Sequence, residues 1–309
     1  FWVCWCLRRL FSIDVFQDHL TFKGGTSLSK VYRIIDRFSE DVDIAIERDF
    51  LGFGGDHDPE EARSGKEQQR RIVRLKAACQ SFVEYQLLAQ YGNEIAGALP
   101  NIATWELSVD PGDPDQQSLL FMYPPAIQSG LSSYFPSFVK IELGARSDHY
   151  PVETTAITPY LAEAIPDAVE QATTRVRVLS PERTFWEKST ILHRLHHLPD
   201  QSEIRPRMSR HYYDIYQLSK SAVWRSVLES FELLDRVVEQ TRVYFTRSCA
   251  KYDEARRGGL RLTPPARIVE SLKRDYREMR PMYVNEPPPL DQILEHLPEL
   301  EQEINSRIE

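Results

Sequence analysis

A chain of 309 residues, 41% hydrophobic and 27% charged, has the composition of an ordinary globular protein with room for a substantial core in one large or two medium domains. No apolar run approaches the roughly 18 residues that span a bilayer, which excludes a membrane-spanning helix and makes the cytoplasm the expected location. The net charge of −8 is uneven: residues 1–174 carry 15 basic and 25 acidic side chains, 175–280 carry 22 and 14, and 281–309 carry 1 and 7. A basic stretch dominated by arginine is the electrostatic footprint expected for a phosphate-rich partner, with a solvated helical surface as the bland alternative.

The chain opens without methionine, so it reads as a fragment or a late start. Phe1, Cys4, Trp5, Leu10 and Phe11 fall near helical spacing, and Arg8-Arg9 follows the apolar start, the wrong order for a signal peptide. Cys4, Cys6, Cys79 and Cys249 have neither zinc spacing nor a disulfide framework and read as small apolar residues.

The next stretch, Phe22 to Ile46, carries most of the chemistry. Gly24-Gly25-Thr26-Ser27 predicts a turn into an amphipathic helix with Leu28, Val31, Ile34 and Ile35 on one face. Asp41-Val42-Asp43-Ile44-Ala45-Ile46 then alternates as a strand, placing Asp41 and Asp43 on one side and Val42, Ile44 and Ile46 towards a core. Two carboxylates on one strand face suit a hard divalent cation that also binds nucleotide phosphates, and backbone N–H groups at a glycine-opened helix suit the phosphates. Either piece alone is commonplace; in this order, around a helix, the combination is specific.

Residues 51–69 are polar and Gly-rich and predict a loop; Arg71–Tyr91 predicts a helix with Ile72, Leu75, Cys79, Phe82 and Gln86 along a mixed face. Strands are predicted at Thr104–Val109, Leu119–Tyr123, Phe138–Leu143 and Val152–Ile157. From Ser180 the pattern is helical, over 180–198, 209–219, 222–250, 266–279 and 290–305, with proline breaks at Pro264-Pro265 and Pro287-Pro288-Pro289. The expected architecture is α+β, a mixed sheet with flanking helices over 1–174, followed by a helical region over 175–309.

On the Phe138–Leu143 strand, Lys140 and Glu142 share a side, which offers Glu142 as a third carboxylate, with Arg146 and Asp148 at the strand end. Ser180 reads as an N-cap with Pro181 in the first helical position, and Thr184 and Lys188 lie one turn apart. His193, His196 and His197 share a helix face, but no zincin glutamate accompanies them, so packing or solvated roles are expected.

FKGGTSLSK, RFSEDVDIAI, VKIELGARSDHYPVE, LSPERTFWEKSTILHRLHH and RHYYDIYQL together resemble the AbiEii/AbiGii toxin family, a branch of the DNA polymerase beta-like nucleotidyltransferases. The resemblance extends from about Phe22 to Leu218, about two-thirds of the chain. It implies that Asp41 and Asp43 hold Mg²⁺, or Mn²⁺ in its place, that Glu142 binds a second ion or deprotonates the acceptor hydroxyl, and that Lys188 neutralises the triphosphate of an NTP. Gly25, Thr26 and Ser27 would contact phosphates, with the gap of thirteen residues between Ser27 and Asp41 leaving open which hydroxyl does so. Asp214 matches the final acidic position, either holding Lys188 or contacting base or sugar. The implied acceptor is RNA, at the tRNA 3′ end, and the implied partner an antitoxin of winged-helix type. A protein or small-molecule acceptor, or a nucleotide-binding regulator without turnover, are the rival readings.

Overall fold

The computed structural model describes residues 1–39, 41–100, 103–124, 137–166, 173–200, 202–245 and 248–307. The chain divides into two units, Phe1–Val31 with Ser39–Leu179, and Tyr32–Phe38 with Ser180–Glu309. In the first unit the elements are α1 (Trp2–Leu10), β1 (Leu20–Lys23), α2 (Gly24–Lys30), β2 (Asp41–Ile46), α3 (Gly65–Phe82), α4 (Leu88–Ala98), β3 (Glu106–Val109), β4 (Ser118–Met122), β5 (Phe138–Gly144), β6 (Val152–Ile157), α5 (Tyr160–Ala164) and β7 (Thr174–Leu179).

The seven strands form one mixed sheet in the order β3-β4-β5-β2-β1-β7-β6. β2 is its middle strand, antiparallel to β1 and parallel to β5. The alternation in β2 buries Val42, Ile44 and Ile46 and leaves Asp41 and Asp43 half-buried on the other side. Cys6, Leu7 and Leu10 of α1 are buried, Trp5 stacks on Phe121 of β4 at 5.5 Å, and the Tyr91 hydroxyl donates to the Cys6 carbonyl. β1 is only four residues long, too short to show a period, whereas β7 does alternate, with Arg175 and Arg177 out and Val176 and Val178 buried, and is a strand that the sequence reading did not place. Because β7 pairs with β1 and β6, the break between units falls after Leu179 rather than at 174.

Two helices differ from expectation for local reasons. The glycines are themselves the first turn of α2, which ends at Lys30; Ile34 and Ile35 lie outside it, beyond Arg33 at a φ of 53°. The helix expected over 71–91 runs from Gly65 to Ala98, started by Ser64, whose hydroxyl accepts from the Glu67 N–H. A π turn at Val83–Leu87 interrupts it. One extra residue per turn rotates the apolar face, so burial passes from Ile72, Leu75, Cys79 and Phe82 to Val83, Leu87, Tyr91 and Ile95, and Gln86 is exposed.

The second unit is helical: α6 (Pro181–His196), α7 (Ser209–Lys220), α8 (Trp224–Leu228), α9 (Phe231–Tyr244), α10 (Ala266–Glu278) and α11 (Leu290–Ser306). The single helix expected over 222–250 is broken at Ser230, where φ −122° and ψ 47° end α8 and the Trp186 indole donates to the Ser230 carbonyl. α6 packs on both α7 and α9 and buries eleven of its sixteen residues, Phe185 and Trp186 among them. Ser180 caps it by accepting from the Arg183 N–H at 3.2 Å. α7 is capped from α10 instead, since the Asp275 carboxylate accepts from the Ser209 N–H at 2.7 Å and the Ser209 hydroxyl at 2.6 Å. Glu301 and Asp291 of the acidic tail pair with Arg261 and Lys273 at 2.9 Å each, so part of that tail offsets the basic stretch.

Segment Tyr32–Phe38 is stitched into this unit by its backbone. The Asp36 N–H donates to the Tyr213 hydroxyl at 3.1 Å, Arg37 bridges to Tyr283, and the Phe38 N–H donates to the Met282 carbonyl.

Candidate active site

The first unit builds an acidic sheet face. Cα partners place Asp43 beside Glu142 and Asp41 beside Lys140 on the parallel strands β2 and β5, so all four side chains project from the same face. Gly24 sits at a φ of +81°, and a Cβ there would come within 2.0 Å of the Asp43 carboxylate. Only glycine lets the start of α2 press so closely on that carboxylate. The Thr26 hydroxyl donates to the Asp41 carbonyl, and the Ser27 hydroxyl to the Gly24 carbonyl at 2.8 Å. Both side chains are buried, and both hydroxyl protons are committed to backbone carbonyls that brace α2 and β2. If a phosphate were bound beside this segment, backbone N–H groups at the start of α2, such as that of Gly25, would be its donors.

The Glu142 side chain is 43% exposed and lies 3.0 Å from Lys140 Nζ, which also reaches Asp110 at 3.1 Å. Burial opposes the Lys140 charge, but bonds to Glu142 and Asp110 outweigh it and raise its pKa. Arg146 pairs with Asp115 at 3.0 Å, and buried Asp148 accepts from the His149 N–H. Asp41 and Asp43 are hard oxygen donors two apart on one strand face, which fits Mg²⁺ held by one or two carboxylates with substrate phosphates completing its shell. Among the described residues no three His, Cys, Asp or Glu side chains are grouped closely enough to hold an ion by themselves.

The second unit builds a buried charge cluster. Asp214, fully buried, accepts from Arg37 Nε at Oδ1 and Arg37 Nη2 at Oδ2, both at 2.8 Å, while Lys188 Nζ lies 2.8 Å from Oδ2. Burial works against the carboxylate, yet the two cations hold its pKa well below the ordinary range. Lys188 shows the converse: burial lowers its pKa, Asp214 opposes that, and Arg37 adds to it. A surface lysine would have neither this burial nor this partner. Thr184, one turn earlier, is buried and donates to the Ser180 carbonyl at 3.1 Å, a helix-internal bond. Sequence reasoning missed Arg37, because its partner lies 177 positions away; the only local signal is an arginine in the turn before Asp41.

His193 and His196 of α6 and His197 at its C-cap are used for packing. His193 Nδ1 accepts from the Arg261 N–H at 3.0 Å, which leaves Nε2 to carry the proton and donate to the Lys251 carbonyl at 3.1 Å. With both nitrogens occupied and its pKa lowered by burial to about 4, His193 is a neutral structural residue. His196 bonds the Thr263 carbonyl at 2.7 Å, and the rings of His193 and His196 both contact that of His197.

A family model described as nucleotidyl transferase AbiEii toxin, type IV TA system, matches residues 5–296. Among solved structures, MenT4, a nucleotidyltransferase toxin from Mycobacterium tuberculosis H37Rv, aligns over 97% of this chain and 89% of its own, at 15% identity and a TM-score of 0.43. A comparison with curated proteins gives no match. No described helix is long and apolar enough to cross a membrane.

Proposed function

The chain belongs to the AbiEii family of nucleotidyltransferase toxins of type IV toxin–antitoxin systems, and from that premise we propose that it transfers a nucleoside monophosphate from an NTP to RNA, at the tRNA 3′ end. The observation that carries this reading is the acidic face of β2 and β5, where Asp41, Asp43 and Glu142 project together beside the glycine start of α2. Asp41 and Asp43 are the metal ligands, with Glu142 as the third carboxylate that binds metal or takes the proton of the acceptor hydroxyl. Mg²⁺ bound there would polarise the phosphates and favour the deprotonated acceptor.

The hydroxyl oxygen forms a bond to the α-phosphorus, and the α–β bridging bond breaks with its electron pair leaving on pyrophosphate. Lys188 is the point charge that offsets the triphosphate, and Asp214 holds it. The arginine-rich stretch over 175–280 supports a polynucleotide acceptor over a small molecule. The cognate antitoxin that the family implies is of winged-helix type, and the cytoplasm is where both would meet tRNA.

The test is Asp41→Ala, which removes a ligand from a strand whose other face stays packed. The purified, folded variant is expected to transfer no nucleotide with Mg²⁺; transfer at the wild-type rate rejects the assignment.

A further inference from the structure

Among the described residues two cations, Lys188 and Arg37, pair with the buried Asp214 carboxylate, and the second is unexplained by the reaction as described. Arg37 is 3% exposed, so its charge is almost wholly removed from water. Such burial is costly unless the guanidinium is paired and well bonded. Here both carboxylate oxygens of Asp214 accept from it in a bidentate fork, the geometry for which arginine is suited and lysine is not. Lys188 must share Oδ2 with the fork and makes a single 2.8 Å contact. The carboxylate is therefore oriented chiefly by Arg37, and its one negative charge is divided between two cations. A net positive charge remains on the cluster.

We propose that Arg37 is a positioning residue for Lys188, fixing the Asp214 carboxylate and drawing on its charge so that the lysine is held in place without being neutralised. This rests on the reading of Lys188 as the triphosphate's counter-charge. A lysine paired one-to-one with a buried carboxylate is a neutral unit and attracts an anion weakly. With Arg37 in place, Lys188 retains its attraction for negatively charged phosphate oxygens. The backbone supports the arrangement, since Asp36, Arg37 and Phe38 are each bonded to α7 or to the 282–284 strip, which fixes the base of the arginine side chain. Among the described residues Arg210 of α7 is a further charge that acts on Lys188, and the buried His211 of α7 is held neutral by burial, with Lys188 adding to that.

The experiment compares Arg37→Gln, Arg37→Lys and Lys188→Ala in the full chain. Arg37→Gln keeps hydrogen-bonding capacity but removes the charge. Loss of a charge-assisted interaction of this kind predicts a rise in KM for NTP of about 10- to 100-fold with a smaller change in kcat. Arg37→Lys, with a charge but no fork, should fall between Arg37→Gln and wild type, and it carries the test where the glutamine variant fails to fold. A second readout is independent of NTP: pH-dependent labelling of the Lys188 amine, quantified by peptide mass spectrometry. Its midpoint should move to higher pH in Arg37→Gln, because a neighbouring positive charge has been removed.

An unchanged KM together with an unchanged labelling midpoint overturns the proposal. So does a variant in which kcat and thermal stability fall together while KM and the midpoint stay fixed, the pattern of a merely structural ion pair. Lys188→Ala separates the two levels. If it leaves NTP use intact, the role of Lys188 itself is wrong, whatever Arg37 does to the labelling midpoint. If it impairs NTP use while both Arg37 variants behave as wild type, only the positioning role is lost.

Discussion

Gly24→Ala is the change that most sharply joins backbone conformation to the chemistry of the acidic face. At φ +81° a Cβ costs about 1–2 kcal/mol for the left-handed backbone alone. The new methyl would lie 2.0 Å from one Asp43 carboxylate oxygen and 2.7 Å from its carbon, far inside van der Waals contact. The Asp43 side chain must swing away, at a further cost of roughly 0.5–1.5 kcal/mol if it is driven off its rotamer. Together these give about 1.5–3.5 kcal/mol, a loss that a domain of ordinary stability, about 5–15 kcal/mol, survives. The variant should therefore remain folded with a lowered urea midpoint by circular dichroism, yet lose far more transfer activity than its unfolded fraction explains. With Asp43 in the metal-binding role proposed above, its displacement should cost more than the roughly 10- to 100-fold typical of losing an outer-shell partner. Gly65→Ala is the control: nothing lies within 4 Å of its added Cβ, and it should be neutral or slightly stabilising in α3. A Gly24→Ala protein with wild-type stability, or with activity within a few-fold of wild type, would refute the reasoning that ties Gly24 to Asp43.

Two further outcomes follow from the charges. Arg205 and Arg256 are exposed, whereas Arg257 lies over the Phe231 ring at 4.1 Å and Arg261 pairs with Glu301, so the first two are the arginines to reverse. If both contact RNA phosphates, Arg205→Glu with Arg256→Glu should weaken tRNA binding and lower the slope of log affinity against log salt by roughly 0.7–0.9 per contact, leaving NTP binding unchanged. An unchanged slope in filter binding assigns these arginines to a solvated surface. His149, bonded to the Thr21 hydroxyl at 2.8 Å, is held neutral by burial with its pKa lowered to about 4. Between that value and the unfolded value near 6.5 the unfolded chain binds more protons, so stability is lost as pH falls through this window, by up to roughly 3 kcal/mol for this group. Urea midpoints measured from pH 7 to pH 4 should fall less steeply in His149→Gln; parallel curves would contradict the assignment.

Elements whose pattern is local were legible in the sequence. The alternation of Asp41–Ile46 marks β2 and its buried face, and Ser180-Pro181 marks the start of α6. β1 is four residues long, too short to show a period, and the π turn at Val83–Leu87 shifts a helical face in a way that no fixed period anticipates. The extent of α2 was misjudged because Ile34 and Ile35 keep helical spacing while their segment is drawn into the helical unit by bonds to Tyr213, Met282 and Tyr283. The same holds for the charge cluster. Lys188 and Asp214 stand out by resemblance to a family motif, but Arg37 is visible only once the chain has brought it to Asp214. Long-range partners leave little trace in local spacing, and a buried arginine looks in sequence like any surface one.

The central claim is transfer of nucleotide to RNA from a site that includes Asp41. It is tested most directly by incubating the purified protein with Mg²⁺, total RNA and each NTP labelled on the α-phosphate in turn, then resolving RNA and protein on denaturing gels. The account predicts label on RNA of tRNA size, located at its 3′ end, and its absence with Asp41→Ala. Label confined to protein, or incorporation into RNA that survives Asp41→Ala, would contradict it.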